Sequence, residues 1–135
     1  MAEHLFFLNI SVADPARSMG FFSKLGLTFD MRFTNEQAAC MKISDKAYAM
    51  LLRRDFFSTF TPREICNTAT HIEGIFGLSC ENREAVDTMV NAAIAAGGSP
   101  ALPPKDMGFM YQRSFYDLDG HHWEVFWMDY KEPQQ

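Results

Sequence analysis

Residues 115–129 read FYDLDGHHWEVFWMD. Asp117-Leu118-Asp119-Gly120 is a turn signal between two strand-like runs. The second run is almost wholly apolar and aromatic, yet Glu124 stands in its middle. Alternation along that run separates Trp123, Val125 and Trp127 from Glu124, Phe126 and Met128. If the tryptophans pack against a helix, the carboxylate looks the other way, with Phe126 beside it.

Working back from this hairpin, the same grammar recurs twice. Residues 5–12, LFFLNISV, predict a strand in which Leu8, Ile10 and Val12 alternate with Phe7, Asn9 and Ser11. Asp14-Pro15 then opens a helix, with Asp14 as N-cap and Pro15 at the first helical position; Met19, Phe22 and Leu25 give it an apolar stripe and Gly26 ends it. Strands are expected at 27–33, 38–44 and 47–53. The Phe-rich loop after Asp55 leads to Thr61-Pro62-Arg63-Glu64, which has the form of a capping box and predicts a short helix. Residues 72–80 predict a strand, Asn82 caps a helix to about Ala96, and Gly97-Gly98 stops it. Strands near 99–102, at 109–117 and at 121–128 close the chain, with Pro103-Pro104 between the first two.

The order is therefore strand, helix, three strands, given twice. Asp14 and Asn82 lie 68 residues apart, and Leu8, Ile10 and Val12 precede Phe76, Leu78 and Cys80 by the same interval. The predicted class is α+β: two βαβββ modules, about 4–66 and about 70–130, forming one domain over 1–135. Helices back the two curved sheets, and the uncovered faces make a concave surface.

Composition limits the partners. With 12 Lys and Arg against 17 Asp and Glu, the net charge is −5. Arg53-Arg54 is the single adjacent basic pair, so nucleic acid is not an expected partner. No apolar run reaches about 18 residues, so no membrane span is expected. Met-Ala-Glu-His lacks the basic start of a secretory signal. Cys40, Cys66 and Cys80 are odd in number and show no CxxC spacing, which points to reduced thiols in the cytoplasm.

The paired modules, the opening strand ending in Val-x-Asp, the stretch NISVADPARSMGFFSKLGL and the closing Asp117-Leu118-Asp119-Gly120-His121-His122-Trp123-Glu124 resemble the vicinal oxygen chelate superfamily. That family includes glyoxalase I, extradiol dioxygenases and bleomycin-resistance proteins. The resemblance covers about residues 5–129 and implies a glyoxalase-like curved-sheet barrel. It also implies paired chains, hence a homodimer. Metal-dependent members take one ligand from each of four strands. Carried over position by position, these fall on Phe7, Met50, Ile75 and Glu124. Only Glu124 is a donor suited to a catalytic divalent ion. No metal and no other cofactor is therefore expected.

By strand parity the concave surface receives Phe7, Asn9 and Ser11 from the first strand, Met50 from the fourth, Ile75 and Ser79 from the fifth, and Glu124 and Phe126 from the last. Tyr111 and Arg113 on the penultimate strand are further candidates for an anionic or aromatic ligand, or for a structural salt bridge. That lining suits a small-molecule pocket or a filled core. Glu124 has three readings: a substrate-binding or acid/base group, a partner of Arg113, or an exposed residue. His121 and His122, just after the turn, are expected at the surface. Two functions follow. One is a metal-independent protein that binds an apolar or aromatic small molecule, similar to the bleomycin-resistance branch. The alternative is a glyoxalase-type lyase or isomerase using Glu124.

Overall fold

The computed structural model describes residues 3–129. Residues 1–2, the start of the N-terminal stretch read above, and residue 130, the expected end of the second module, lie outside the described residues. The chain forms two compact units divided between Cys66 and Asn67.

In the first unit, β1 (Phe6–Val12), α1 (Pro15–Lys24), β2 (Thr28–Phe29), β3 (Ala38–Ser44) and β4 (Ala47–Arg53) follow in order. The sheet order is β1-β4-β3-β2, with β1 parallel to β4. Asp14 caps α1 by accepting from Ala16 N at 3.0 Å. Beyond the helix Gly26 takes φ +93°, a left-handed turn that glycine reaches without a Cβ penalty. Ile10, Val12, Met41 and Leu51 share the side of the sheet that meets Phe21 and Phe22 of α1, and all six are at most 3% exposed. That layer is the core of the unit.

The second unit repeats the plan with β5 (Ile75–Ser79), α3 (Arg83–Ala95), β6 (Ser99–Pro100), β7 (Lys105–Asp106), β8 (Met110–Tyr116) and β9 (His122–Met128); α2 (Arg54–Phe57) belongs to the first unit. The order is β5-β9-β8-β6, with β5 parallel to β9 and β7 also on β8. Asn82 caps α3 through Ala85 N at 2.8 Å. Val86, Val90 and Ala93 bury the α3 stripe, and Phe115, Trp123 and Val125 are its buried counterparts on the sheet. Each sheet is open rather than a closed barrel.

Three expectations are corrected. The strand expected over 27–33 stops at Phe29. The Asp30 carboxylate accepts from Arg32 N at 3.1 Å and binds the Arg32 guanidinium at 2.8 Å, which turns Met31–Phe33 into a 3₁₀ turn. No helix begins at Thr61. Its hydroxyl accepts from Arg63 N at 3.2 Å in a local turn, and the helical turns fall earlier, at Arg54–Phe57 and Ser58–Phe60. Phe56 and Phe60 close edge to face across them, 5.1 Å apart. The fifth strand begins at Ile75 rather than 72.

Candidate functional site

In the first unit, register pairs Phe7 with Tyr48, Asn9 with Met50 and Ser11 with Leu52 across the parallel β1–β4 ladder. Cys40 of β3 is opposite Met50. Because the alternate residues are taken by α1, these side chains share the face away from that helix. The face is graded. Phe7 is 48% exposed at one end and Ser11 is 6% exposed at the other, where α2 packs on β1 and β4.

The exposed end holds a cavity of about 490 Å³, lined by Leu5, Phe7, Phe33, Cys40, Tyr48 and Met50, with Asp30 and Arg32 also in its wall. Phe7 and Tyr48 stack with centroids 5.1 Å apart and planes inclined by 14°. That size and lining suit a small organic molecule. The charges in the wall neutralise each other: Arg32 Nη2 bonds Asp30 Oδ2 at 2.8 Å, and this bond holds the Asp30 carboxyl below its ordinary value. Burial pushes the Cys40 thiol up, so it is a packing group rather than a thiolate nucleophile.

In the second unit, Ile75, Gly77 and Ser79 pair with His122, Glu124 and Phe126. Ile75 is 54% exposed, and Glu124 and Phe126 are half-buried. Glu124 Oε2 accepts from Gln112 Nε2 at 3.2 Å. The expected pairing with Arg113 does not form. Arg113 is the register partner of Val125 and therefore lies on the α3 side. There its Nη1 binds Asp87 at 2.9 Å and Asn91 at 3.0 Å, and the Tyr111 hydroxyl donates to Asp87 at 2.7 Å. Tyr111 and Arg113 are thus separated from Glu124 by the sheet and serve the packing of α3.

That cluster predicts a pH dependence. The Tyr111 hydroxyl bond, followed by the Arg113 contacts, holds Asp87 below its ordinary value of 3.8. A depressed folded pKa means that the unfolded chain binds the proton first. The contribution is then complete above 3.8 and lost as pH falls through the folded value. Wild type should exceed Asp87→Asn in urea midpoint at neutral pH, and the gap should close on acidification below 3.8. A gap that stays constant with pH would refute the assignment.

The histidines after the turn are buried, not at the surface: His121 is 3% exposed and His122 6%. Asp117 draws them in. It accepts from Asp119 N at 2.9 Å, His121 N at 3.0 Å and Trp123 Nε1 at 2.9 Å. His121 Nδ1 meets Glu73 Oε1 at 2.5 Å. Burial nonetheless raises the Asp117 pKa. Beside this network lies a more polar cavity of about 950 Å³ whose walls include Thr68, His71 and Tyr116. It contains none of the site residues expected from the sequence. It is larger than the cavity beside Phe7 and Tyr48, whose lining is the more apolar.

The residues at the four metal-ligand positions do not fit a divalent ion. Phe7 and Ile75 bring no donor and Met50 only a thioether. Among the described residues no three His, Cys, Asp or Glu side chains are grouped to hold one.

Residues 4–125 match the family model described as the Glyoxalase/Bleomycin resistance protein/Dioxygenase superfamily. Solved structures share the fold. The hypothetical protein SA1046 from S. aureus is 24% identical, with a TM-score of 0.78 over 93% of this chain and 94% of its own. A glyoxalase/bleomycin resistance protein/dioxygenase family enzyme from Burkholderia phytofirmans PsJN is 17% identical, with a TM-score of 0.76 over 93% and 99%. A glyoxalase-related enzyme from Fulvimarina pelagi is 14% identical, with a TM-score of 0.78 over 93% and 88%. Comparison with curated proteins gives no match.

Proposed function

This chain belongs to the Glyoxalase/Bleomycin resistance protein/Dioxygenase superfamily, and we propose that it binds a planar apolar or aromatic small molecule without a catalytic metal. The observation that carries this reading is the cavity of about 490 Å³ walled by the stacked Phe7 and Tyr48, with Met50 and Cys40 beside them. An aromatic guest gains area burial there and ring stacking besides. The Asp30–Arg32 pair is internally neutral, so it does not favour a strongly charged guest. Exposed Phe6, Phe7 and Ile75 support pairing with a second copy. Cys40, Cys66 and Cys80 are thiols rather than disulfides, which supports a cytoplasmic setting. No helix among the described residues is long and apolar enough to cross a membrane.

The test is titration with a naphthalene-type probe, followed by thermal shift and by the probe's fluorescence. Wild type should bind saturably and be stabilised. Phe7→Ala should weaken binding about tenfold, the loss expected for a large share of one aromatic contact. Equal affinity in wild type, Phe7→Ala and Tyr48→Ala would overturn the reading. The alternative, a lyase or isomerase of the glyoxalase type, is favoured by the half-buried Glu124 beside the side-chain-free Gly77. A glutathione-dependent conversion of methylglyoxal that Glu124→Gln abolishes would put that alternative first.

A further inference from the structure

On the second unit, the face of the sheet away from α3 carries a polar atom whose need is unmet. His122 is 6% exposed, and its Nε2 is buried with no hydrogen-bond partner. The neighbouring buried polar groups are satisfied: Ser114 Oγ accepts from Leu102 N, Asp117 accepts three N–H groups, and His121 meets Glu73. A buried nitrogen left unpaired costs free energy that a partner from outside would recover.

Glu124 follows two residues later, about 6.7 Å along the same strand face. Its Oε2 is taken by Gln112, while Oε1 accepts from no described residue. Its register partner Gly77 brings no side chain, and the Phe126 ring leans over that glycine, 3.5 Å from where a Cβ would stand. Tyr116 holds the His122 ring edge-on, with centroids 5.4 Å apart. Tyr116 is itself 37% exposed, no described residue bonds its hydroxyl, and it stands in the wall of the cavity of about 950 Å³. Tyr116 thus touches both the His122 ring and that cavity.

We propose that His122 and Glu124 form a two-point recognition site for the edge of a cyclic amide. The ligand's N–H donates to Glu124 Oε1 and its carbonyl accepts from His122 Nε2–H. The class follows from the pair. A free carboxylate would be repelled by Glu124, and an amine would answer Glu124 alone. A donor beside an acceptor on one planar edge answers both groups. The site rests on the second unit and does not depend on the Phe7–Tyr48 cavity.

The experiment uses isoquinolin-1(2H)-one and its N-methyl analogue with the ¹⁵N-labelled full chain. In wild type the lactam should give saturable shifts at the Gly77 and Glu124 amides. Long-range ¹H–¹⁵N spectra should show a protonated Nε2 at His122 that moves more than Nδ1. N-methylation should weaken binding about tenfold, as should His122→Phe and Glu124→Gln with the parent lactam. In Glu124→Gln the N-methyl penalty should shrink. No saturable binding, an Nε2 resonance that ignores the ligand, or a methyl penalty unchanged in both variants would overturn the proposal. The two ligands and the imidazole spectrum decide the matter in wild type even if a variant misfolds.

Discussion

Trp123→Ala is expected to cost about 4–6 kcal/mol, enough to leave the chain largely unfolded in moderate urea. Trp123 is 1% exposed and meets Phe76 edge to face at 5.2 Å. Deleting a buried Trp side chain alone costs about 3–5 kcal/mol, because the surroundings only partly close the cavity. A second loss adds to it. Trp123 Nε1 donates to Asp117 Oδ2 at 2.9 Å, so truncation removes one of the three bonds that hold a buried carboxylate. Trp123→Phe separates the two: it keeps most of the ring and loses the donor, at about 1–3 kcal/mol. Burial already raises the Asp117 pKa, and the Trp123 bond opposes that rise. The bond therefore favours the charged carboxylate. The penalty of Trp123→Phe should be largest above the raised folded pKa of Asp117 and shrink as acid neutralises the group. Far-UV circular dichroism during urea unfolding measures all of this. A Trp123→Ala cost under about 1.5 kcal/mol would show that the tryptophan is not the anchor of β9. The consequence for function is direct. Trp123 locked towards α3 is what turns His122 and Glu124 to the other face.

Much of this architecture was legible because both modules write the same pattern. Asp14 and Asn82 are N-caps in the structure as in the sequence, and both long helices end at left-handed glycines. The alternation of Leu8, Ile10 and Val12 fixes one sheet face in the first unit, and Trp123, Val125 and Trp127 fix one in the second. Local side-chain chemistry was harder to read. Asp30 reaching forward to accept from Arg32 N broke a strand that composition favoured. Thr61 used its hydroxyl in a turn rather than as a helix cap.

At the candidate site the limit was register. Nothing in the sequence says that Arg113 stands opposite Val125, so its partners on α3, Asp87 and Asn91 one helical turn apart, could not be told from Glu124. Tyr48 lies two residues before Met50 and shares its face by parity, but only the parallel pairing of β1 with β4 sets it opposite Phe7. His122 was different, because the signal existed. The parity that assigned Glu124, Phe126 and Met128 to one face also assigns His122 to it. Its place beside a turn suggested exposure instead. The Asp117 bonds to His121 N and to Trp123 Nε1 across the start of the strand explain why the chain is drawn in there.

Gly120→Ala is expected to destabilise the chain by about 2–4 kcal/mol, far more than one methyl group on a turn normally does. Gly120 has φ +82°. A non-glycine residue there costs roughly 1–2 kcal/mol, from its Cβ against the backbone. The rest is contact. An added Cβ would lie 2.7 Å from Thr68 Oγ1, 3.0 Å from Thr68 Cβ and 3.3 Å from the Thr68 carbonyl oxygen. Thr68 is β-branched and stiff, and its hydroxyl donates to the Asp119 carbonyl, so it does not yield cheaply. The two contributions separate by experiment. Thr68→Gly removes the side-chain clash and leaves the backbone strain. The cost of Gly120→Ala measured in a Thr68→Gly background should therefore fall to about the strain alone, roughly 1–2 kcal/mol. An equal cost in both backgrounds would mean that the segment at Thr68 does not pack on this turn. The turn matters beyond stability. Asp117–Gly120 sets where β9 begins, and a residue pushed out there would shift His122 and Glu124 along the face on which both are proposed to meet a ligand.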